Sequence, residues 1–267
     1  MKKLMFVAVL AAGFAAFGDG NGIESANTVG YYAADTAFRA GNTMYCPVFS
    51  GIGAAEYSVQ DIIPKAVSGT VPNGSVLSSA ITIQKLTATG ASDGGLWYWM
   101  DYYDEDEEDD FYGWWNSGLS KKCTHTFKAG EAFWTKMPGN NVTLQFAGEV
   151  TKGNAYMLLR QGNTAVGNPT PTTISVQDII PVGTAVPNGS VLSSAITLQK
   201  LTATGASDGG LWYWMDYYDE DEEDDFYGWW NSGLSKKCTH TFAPGEGMWV
   251  KCSNATTSLQ FPAAIAE

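Results

Sequence analysis

The chain has 267 residues and a formal net charge of −13, from 15 Lys and Arg against 28 Asp and Glu. Sixteen of the 28 acids lie in two short windows, Asp101 with 104–110 and Asp216 with 219–225. Because phosphate binding needs clustered Lys and Arg, we expect no nucleic-acid partner. A composition that is 45% hydrophobic and 13% aromatic also excludes a chain that is disordered throughout.

The N-terminus has the pattern of a secretory signal peptide. Lys2 and Lys3 precede the apolar stretch 4–17, and Ala16 and Gly18 supply small residues before Asp19. This stretch is shorter than the ~20 residues that a membrane-spanning helix needs. We therefore expect removal of residues 1–18 and a mature protein that is secreted, periplasmic or at the cell surface, without a transmembrane segment. An uncleaved N-terminal anchor is the alternative.

An internal duplication organises the rest of the chain. Residues 71–127 and 186–242 differ only at Ile83 against Leu198, and the upstream sequence 58–64 recurs at 175–181. This predicts two tandem units of domain size, residues 19–150 and 151–267. The boundary lies near 147–153, where the segment 143–150 could close the first unit or open the second, so strand exchange between the units stays open.

Short β signals separated by Gly-, Pro- and Asp-rich turns fill each unit. In the first unit they predict strands at 81–88, 96–103, 111–116, 123–127, 132–137 and 142–147. The helical signal is confined to Ser58-Val-Gln-Asp61, a capping-box-like start that Pro64 stops after one turn. The sequence thus predicts an all-β fold of two duplicated antiparallel β-sheet domains, sandwich or barrel-like, with very little helix.

Each unit contains an aromatic hairpin with an acidic tip, formed in the first unit by 96–116 and in the second by 211–231. Folding the first one symmetrically about Glu107 pairs Tyr103 with Phe111, Met100 with Trp114 and Trp99 with Trp115. One face then carries Trp97, Trp99, Asp101, Tyr103, Phe111 and Trp115, and the other carries Tyr98, Met100, Tyr102, Tyr112 and Trp114. A half-buried strand has a polar solvent face, but both faces here are aromatic, so one of them needs a partner or a cover.

Three interpretations of that second face compete. The other sheet or the other unit covers it; or it is a carbohydrate platform, on which Trp and Tyr rings stack against sugars; or it mediates self-association or adhesion to other proteins. The candidate ligand-binding residues are Trp97, Trp99, Tyr103, Trp114 and Trp115 in the first unit and Trp212, Trp214, Tyr218, Trp229 and Trp230 in the second.

The acidic tip has two interpretations of its own. Seven consecutive carboxylates repel each other, and such runs are usually solvated. Calcium, which prefers several carboxylate oxygens, is the alternative and the one cofactor that the sequence suggests. An EF-hand loop is excluded, because Asp109 stands where Gly is needed and Trp115 where the bidentate Glu belongs. The calcium hypothesis therefore rests on a different set of ligands: Asp101, Asp104, Asp106 and Asp109, with Asp216, Asp219, Asp221 and Asp224 in the second unit.

The four cysteines suggest a disulfide framework. If 238–242 and 247–252 form a hairpin that pairs Phe242 with Met248, Cys238 lies opposite Cys252, which leaves Cys46 for Cys123. An oxidising compartment would allow both bridges. Four free, partly buried thiols are the alternative, and the spacing does not indicate zinc.

Catalytic constellations are weak in this sequence. The two histidines, His125 and His240, occupy the same position in the two copies and fit a strand residue that faces a neighbour. Neither a nucleophile–base pair nor a differentiated carboxylate pair can be assembled from the spacing. We therefore expect a protein that is not an enzyme.

Several short segments together carry a resemblance. They are Asp19-Gly20, the stretch 22–31, Val166-Gly-Asn-Pro169, the repeated Asp-Ile-Ile-Pro turn and Pro244-Gly-Glu-Gly-Met-Trp-Val250. With them the chain resembles uncharacterised exported tandem β-repeat proteins of Verrucomicrobia-related bacteria. The first unit departs from this pattern, with Ala129-Gly-Glu-Ala-Phe-Trp134 in place of the Pro-Gly-Glu-Gly turn. The resemblance implies an envelope or secreted protein and transfers no catalytic residue.

Taken together, these features predict an exported, non-enzymatic surface or extracellular protein with a structural or adhesive role that uses its duplicated hairpins. The alternative is a bivalent, calcium-assisted carbohydrate-binding protein. The corresponding partners are a glycan, a surface protein or a second copy of the chain.

Overall fold

The computed structural model describes residues 29–33, 41–72, 74–86, 94–105, 109–139, 142–201, 209–220 and 224–264. The expected signal peptide at 1–18 lies outside these residues. The first part of the chain forms β1 Val29–Ala33, β2 Gly41–Tyr45, β3 Tyr57–Ser58, β4 Ile63–Ala66, β5 Thr82–Lys85, β6 Trp97–Asp104, β7 Asp109–Trp115, β8 Thr126–Phe127, β9 Phe133–Met137 and β10 Val142–Glu149. The second part forms β11 Ala155–Leu158, β12 Gly162–Gly167, β13 Ile174–Ser175, β14 Ile180–Gly183, β15 Thr197–Lys200, β16 Trp212–Asp219, β17 Asp224–Trp230, β18 Thr241–Phe242, β19 Gly247–Cys252 and β20 Thr257–Phe261.

The two parts have the same sheet topology, and the strands named above pair antiparallel. The first part contains a sheet in the order β1-β10-β4, a five-stranded sheet β2-β9-β5-β6-β7 and the pair β3-β8. The second part repeats these orders as β11-β20-β14, β12-β19-β15-β16-β17 and β13-β18. Strand β10, which the sequence could not assign, pairs with β1 and β4. The predicted all-β, antiparallel fold is confirmed.

Helix is confined to single 3-10 turns in the described residues. Val59–Asp61 begins after Ser58, whose hydroxyl accepts a hydrogen bond from the Gln60 N–H, and Val176–Asp178 begins in the same way after Ser175. This confirms the expected single turn. A third turn, Leu77–Ser79, was not predicted. No helix in the ranges described here has the length and apolar character that a bilayer crossing requires.

Each part has its own aromatic core, built where its sheets pack on one another. The first core includes Trp99, Trp114, Phe127, Phe133 and Phe146, each at most 1% exposed. The second includes the corresponding Trp214, Trp229 and Phe242 with Met248 and Phe261. Burial of large aromatic side chains dominates core energetics, which explains how short strands form a stable fold.

The hairpin expected at 238–252 is not formed. Strand β18 pairs with β13, and β19 pairs with β12 and β15, so Cys252 lies opposite Gly162 rather than Cys238. The turn between them carries the chain from one sheet to another. Cys46, Cys123, Cys238 and Cys252 are buried, free thiols, so neither predicted disulfide is formed.

Reciprocal contacts join the two parts. The Cys46 N–H, just after β2, donates to the Gly245 carbonyl at 2.9 Å, and the Gly167 N–H at the end of β12 donates to the Gly130 carbonyl at 3.0 Å. A buried cluster fills the space between them: Met44, Cys46, Leu86, Ala132, Ala165 and Leu201. The packing is close, because a Cβ atom on Gly167 would lie 2.5 Å from the Cys46 Sγ.

Candidate functional site

The two aromatic hairpins, β6–β7 and β16–β17, are present as predicted, but their register differs by one residue from the expected one. Trp99 pairs with Trp114, and Tyr103 pairs with Asp110. Because side chains alternate between the faces of a strand, a one-residue shift moves every side chain of β7 to the opposite face. Trp114 and Tyr112 therefore share a face with Trp99, and Phe111 and Trp115 lie on the other face.

The inner half of the first face belongs to the core. Trp97, Trp99 and Trp114 are 5%, 1% and 0% exposed, and the Trp99 and Trp114 rings meet edge to face at a centroid distance of 5.4 Å. The Trp114 indole N–H donates to the Ile62 carbonyl at 2.8 Å. Trp212, Trp214 and Trp229 are buried in the same way in the second hairpin. The candidate rings Trp97, Trp99 and Trp115 therefore do not form one accessible row, since the first two are buried and the third lies on the opposite face.

The second face of the hairpin carries a chain of ring contacts. Phe111 lies 5.6 Å from Tyr102 and 5.3 Å from Trp115, and the Lys122 ammonium lies 5.7 Å above the Trp115 ring. Phe111 is buried, whereas Tyr102 and Trp115 are half-buried. Trp230 has the same contacts with Phe226 and Lys237. This face is thus covered in part by its own rings and by Lys122, and not by the other sheet or the other unit in the contacts described here.

The outer half of the first face is exposed and alternates aromatic with acidic side chains. Asp101 pairs with Tyr112 and Tyr103 pairs with Asp110, so the four side chains form a checkerboard, and all four are exposed. Tyr103 is 57% and Tyr112 49% exposed. The second hairpin repeats this surface with Asp216, Tyr218, Asp225 and Tyr227, where the tyrosines are 58% and 47% exposed. We call each set of four the Tyr–Asp surface.

A glutamine side chain holds the base of each hairpin. The Gln60 amide nitrogen donates to the Trp114 carbonyl at 3.0 Å and to the Cys123 carbonyl at 2.8 Å, while its oxygen accepts from the Trp114 N–H at 3.1 Å. Strand β7 is the edge of its sheet, so the amide takes the place of a neighbouring strand. Gln177 makes the same three bonds around Trp229 and Cys238.

Gly113 allows this close approach. It has φ +105°, and a Cβ atom there would lie 2.3 Å from the Gln60 side-chain oxygen, as at Gly228 against Gln177. In the sequence, Gln60 is recognisable only as part of the predicted helical turn. The recurrence of Ser-Val-Gln-Asp in both units was the available signal for its role.

The expected calcium ligands do not converge in the described residues. Asp101 lies on the Tyr–Asp surface, but Asp104, three residues along the same strand, lies on the other face and pairs with Asp109. Asp216 and Asp219 are separated in the same way, and Asp219 pairs with Asp224. Asp106 and Asp221 lie outside the described residues. Within those residues no group of three His, Cys, Asp or Glu side chains is placed to hold a metal ion.

The histidines and cysteines pack as structural residues. The His125 ring meets Trp97 edge-on at 5.5 Å, and His240 meets Trp212 at the same distance. Burial raises the pKa of the Cys123 thiol, and a backbone hydrogen bond from His125 opposes this effect in part. A thiol with a raised pKa holds its proton and is a poor nucleophile at neutral pH.

A small pocket lies between the two parts of the chain. Its volume is about 30 Å³, and it is lined by Leu86, Glu131, Ala132, Met157, Arg160, Thr164 and Ala165. Small-molecule sites typically measure about 300–1,000 Å³, so a pocket of this size does not suit an organic ligand. The Tyr–Asp surfaces are therefore the stronger candidates for function.

Comparisons of this chain with protein families, with characterised proteins and with solved structures find no match.

Proposed function

We propose that this protein is an exported, non-enzymatic structural or adhesive protein that presents two equivalent binding surfaces, one on each hairpin. One observation carries the proposal: the Tyr–Asp surface is exposed on both hairpins, with tyrosines that are 47–58% exposed. Tyr is enriched at protein interfaces because it combines a large apolar ring with a polar hydroxyl. The N-terminal sequence 4–17 and the resemblance to exported β-repeat proteins support export.

Burial of the tryptophans weighs against the carbohydrate alternative. A sugar platform needs accessible rings, and six of the eight hairpin tryptophans are at most 6% exposed. Trp115 and Trp230 are half-buried, and a lysine ammonium lies over each of their rings. The exposed aromatic area on the hairpins is instead provided by tyrosines that alternate with carboxylates, a composition that suits a protein partner.

Two variants of the mature chain test the proposal. The surface variant changes Tyr103, Tyr112, Tyr218 and Tyr227 to Ser. The control variant changes Tyr31 and Tyr156, which are exposed and lie outside the hairpins, to Ser as well. The proteins are compared on arrays of immobilised proteins, peptides and glycans and by light scattering. We expect protein or peptide binding, or self-association, that the surface variant loses and the control variant keeps. Binding confined to glycans would favour the carbohydrate alternative, and identical behaviour of both variants would contradict the proposal.

A further inference from the structure

We propose that each Tyr–Asp surface binds an extended, arginine-rich segment of a partner protein. This inference rests on the proposed function and specifies the chemistry of the partner. It follows from three properties of the surface: its exposed rings, its charge and the spacing of its side chains.

One aromatic ring of each surface is both exposed and held in place. Tyr112 is 49% exposed, and its ring meets the buried Trp99 edge-on at 5.2 Å. Tyr227 contacts Trp214 in the same way at 5.3 Å. Because each of these rings rests on the core, a ligand that stacks on it orders few additional side-chain rotations. Guanidinium groups stack favourably on such faces.

The charge of the surface selects a cation. Asp101 and Asp110 are exposed beside the two tyrosines, and the whole hairpin 96–116 contains no Lys or Arg. Among the described residues, the ammonium of Lys122 contacts a ring of the first hairpin, but it lies over Trp115 on the opposite face. A guanidinium can stack on a tyrosine and donate two hydrogen bonds to the neighbouring carboxylate. Arginine therefore fits better than lysine, which offers a point charge.

The spacing of the checkerboard favours an extended chain. Its two rows, Asp101 with Tyr112 and Tyr103 with Asp110, are two residues apart along the strands. In extended backbone, side chains on one face also recur every second residue, at about 6–7 Å. A segment with arginine at alternate positions thus places one guanidinium over each Tyr–Asp pair.

A second copy of the same surface does not fit this description. Two Tyr–Asp surfaces that face each other would bring carboxylates together, and like charges in such contact repel. The excess of 28 acids over 15 bases in the whole chain opposes self-association in general. A metal ion is also a weaker occupant, because tyrosines separate the carboxylates of the checkerboard.

Fluorescence anisotropy with a labelled eight-residue peptide of alternating Arg and Thr tests the inference on the mature chain. We expect two peptides to bind per chain and the affinity to fall as salt is added. The surface variant defined above should bind about tenfold more weakly, the loss expected for two exposed cation–π contacts per site. The Tyr31 and Tyr156 control variant should bind normally, and a Lys-Thr peptide should bind less tightly than the Arg-Thr peptide.

A matched pair of charge variants separates this site from unspecific attraction to an acidic protein. The first variant combines Asp101→Asn with Asp216→Asn, and the second combines Glu105→Gln with Glu220→Gln. Both variants remove the same charge, but only the first pair lies on the Tyr–Asp surface. We expect the first pair to weaken binding several-fold more than the second. Equal losses, or equal binding of a Glu-Thr peptide, would overturn the inference.

The outcome also separates this inference from the proposed function. Absence of Arg-Thr binding, together with array binding that the surface variant loses, would refute the arginine-rich partner and leave the adhesive role standing. Absence of any effect of the surface variant in both assays would refute both.

Discussion

The glutamine that holds each hairpin offers a direct test of how the binding surface is supported. Replacing Gln60 with Ala removes three hydrogen bonds of 2.8–3.1 Å to Trp114 and Cys123. The Trp114 carbonyl keeps its bond from the Cys123 N–H, but the Trp114 N–H and the Cys123 carbonyl lose the partner that Gln60 provides. At a net ~0.5–1.5 kcal/mol for each of the three bonds, the free energy of unfolding should fall by about 1.5–4.5 kcal/mol.

Urea unfolding followed by tryptophan fluorescence measures this change. Trp99 and Trp114 are buried, so their emission reports on the core beside the substituted residue. For a urea dependence of about 2 kcal/mol/M, the midpoint should fall by about 1–2 M. Gln177→Ala should have the same effect through Trp229, because its three bonds have the same lengths within 0.1 Å.

Gln161→Ala is the matched control, since Gln161 is exposed. We expect it to change the free energy of unfolding by less than about 0.5 kcal/mol. If Gln60→Ala and Gln177→Ala were as mild as this control, the amides would contribute nothing beyond what water provides, and their proposed role in holding the hairpins would be refuted.

Three further changes test the close packing of the fold. Gly113→Ala should lower the melting temperature more than Gly95→Ala. Both glycines have φ near +100°, but only at Gly113 does the new Cβ meet another group, the Gln60 oxygen at 2.3 Å. Equal falls in melting temperature would point to backbone strain alone. Gly167→Ala should lower the free energy of unfolding by weakening the contact between the two parts of the chain. Adding Cys46→Gly should recover part of that loss, because it removes the Sγ atom that the new Cβ meets. Strict additivity of the two changes would argue against this contact. Burial raises the pKa of the Cys46 thiol above its ordinary value of 9.0, so the folded state retains a proton that the unfolded state releases in alkali. The resulting stability is fully present below pH ~9 and is lost above it by about 1.4 kcal/mol per pH unit. In urea unfolding at pH 8–10, the free energy of unfolding should therefore fall less steeply with pH in Cys46→Ala, and an unchanged slope would exclude this thiol as the cause.

The sequence predicted where the candidate surface lies, but not which residues form it. The strand patterns and the acidic turn predicted both hairpins, and Tyr103 was among the expected ligand-binding residues. Asp101 was expected to bind calcium, and Tyr112 and Asp110 were not assigned to the site at all. Their place on the surface depends on the pairing of Tyr103 with Asp110 rather than Phe111.

The sequence by itself determined the duplication, the all-β class and the position of each hairpin, because these follow from local repetition, alternation and turn residues. Tertiary structure decided the hairpin register and the partners of β8 and β18. A long acidic turn is compatible with either of two registers, and the choice shown here is the one in which Trp114 enters the core and bonds to Gln60 and Ile62, both distant in the chain. A short turn after Phe242 can equally close a hairpin or lead to another sheet, and the pairing of β18 with β13 is a long-range contact that no local pattern records. Contacts between residues far apart in the chain therefore decided which aromatic rings are buried and which are available to a partner.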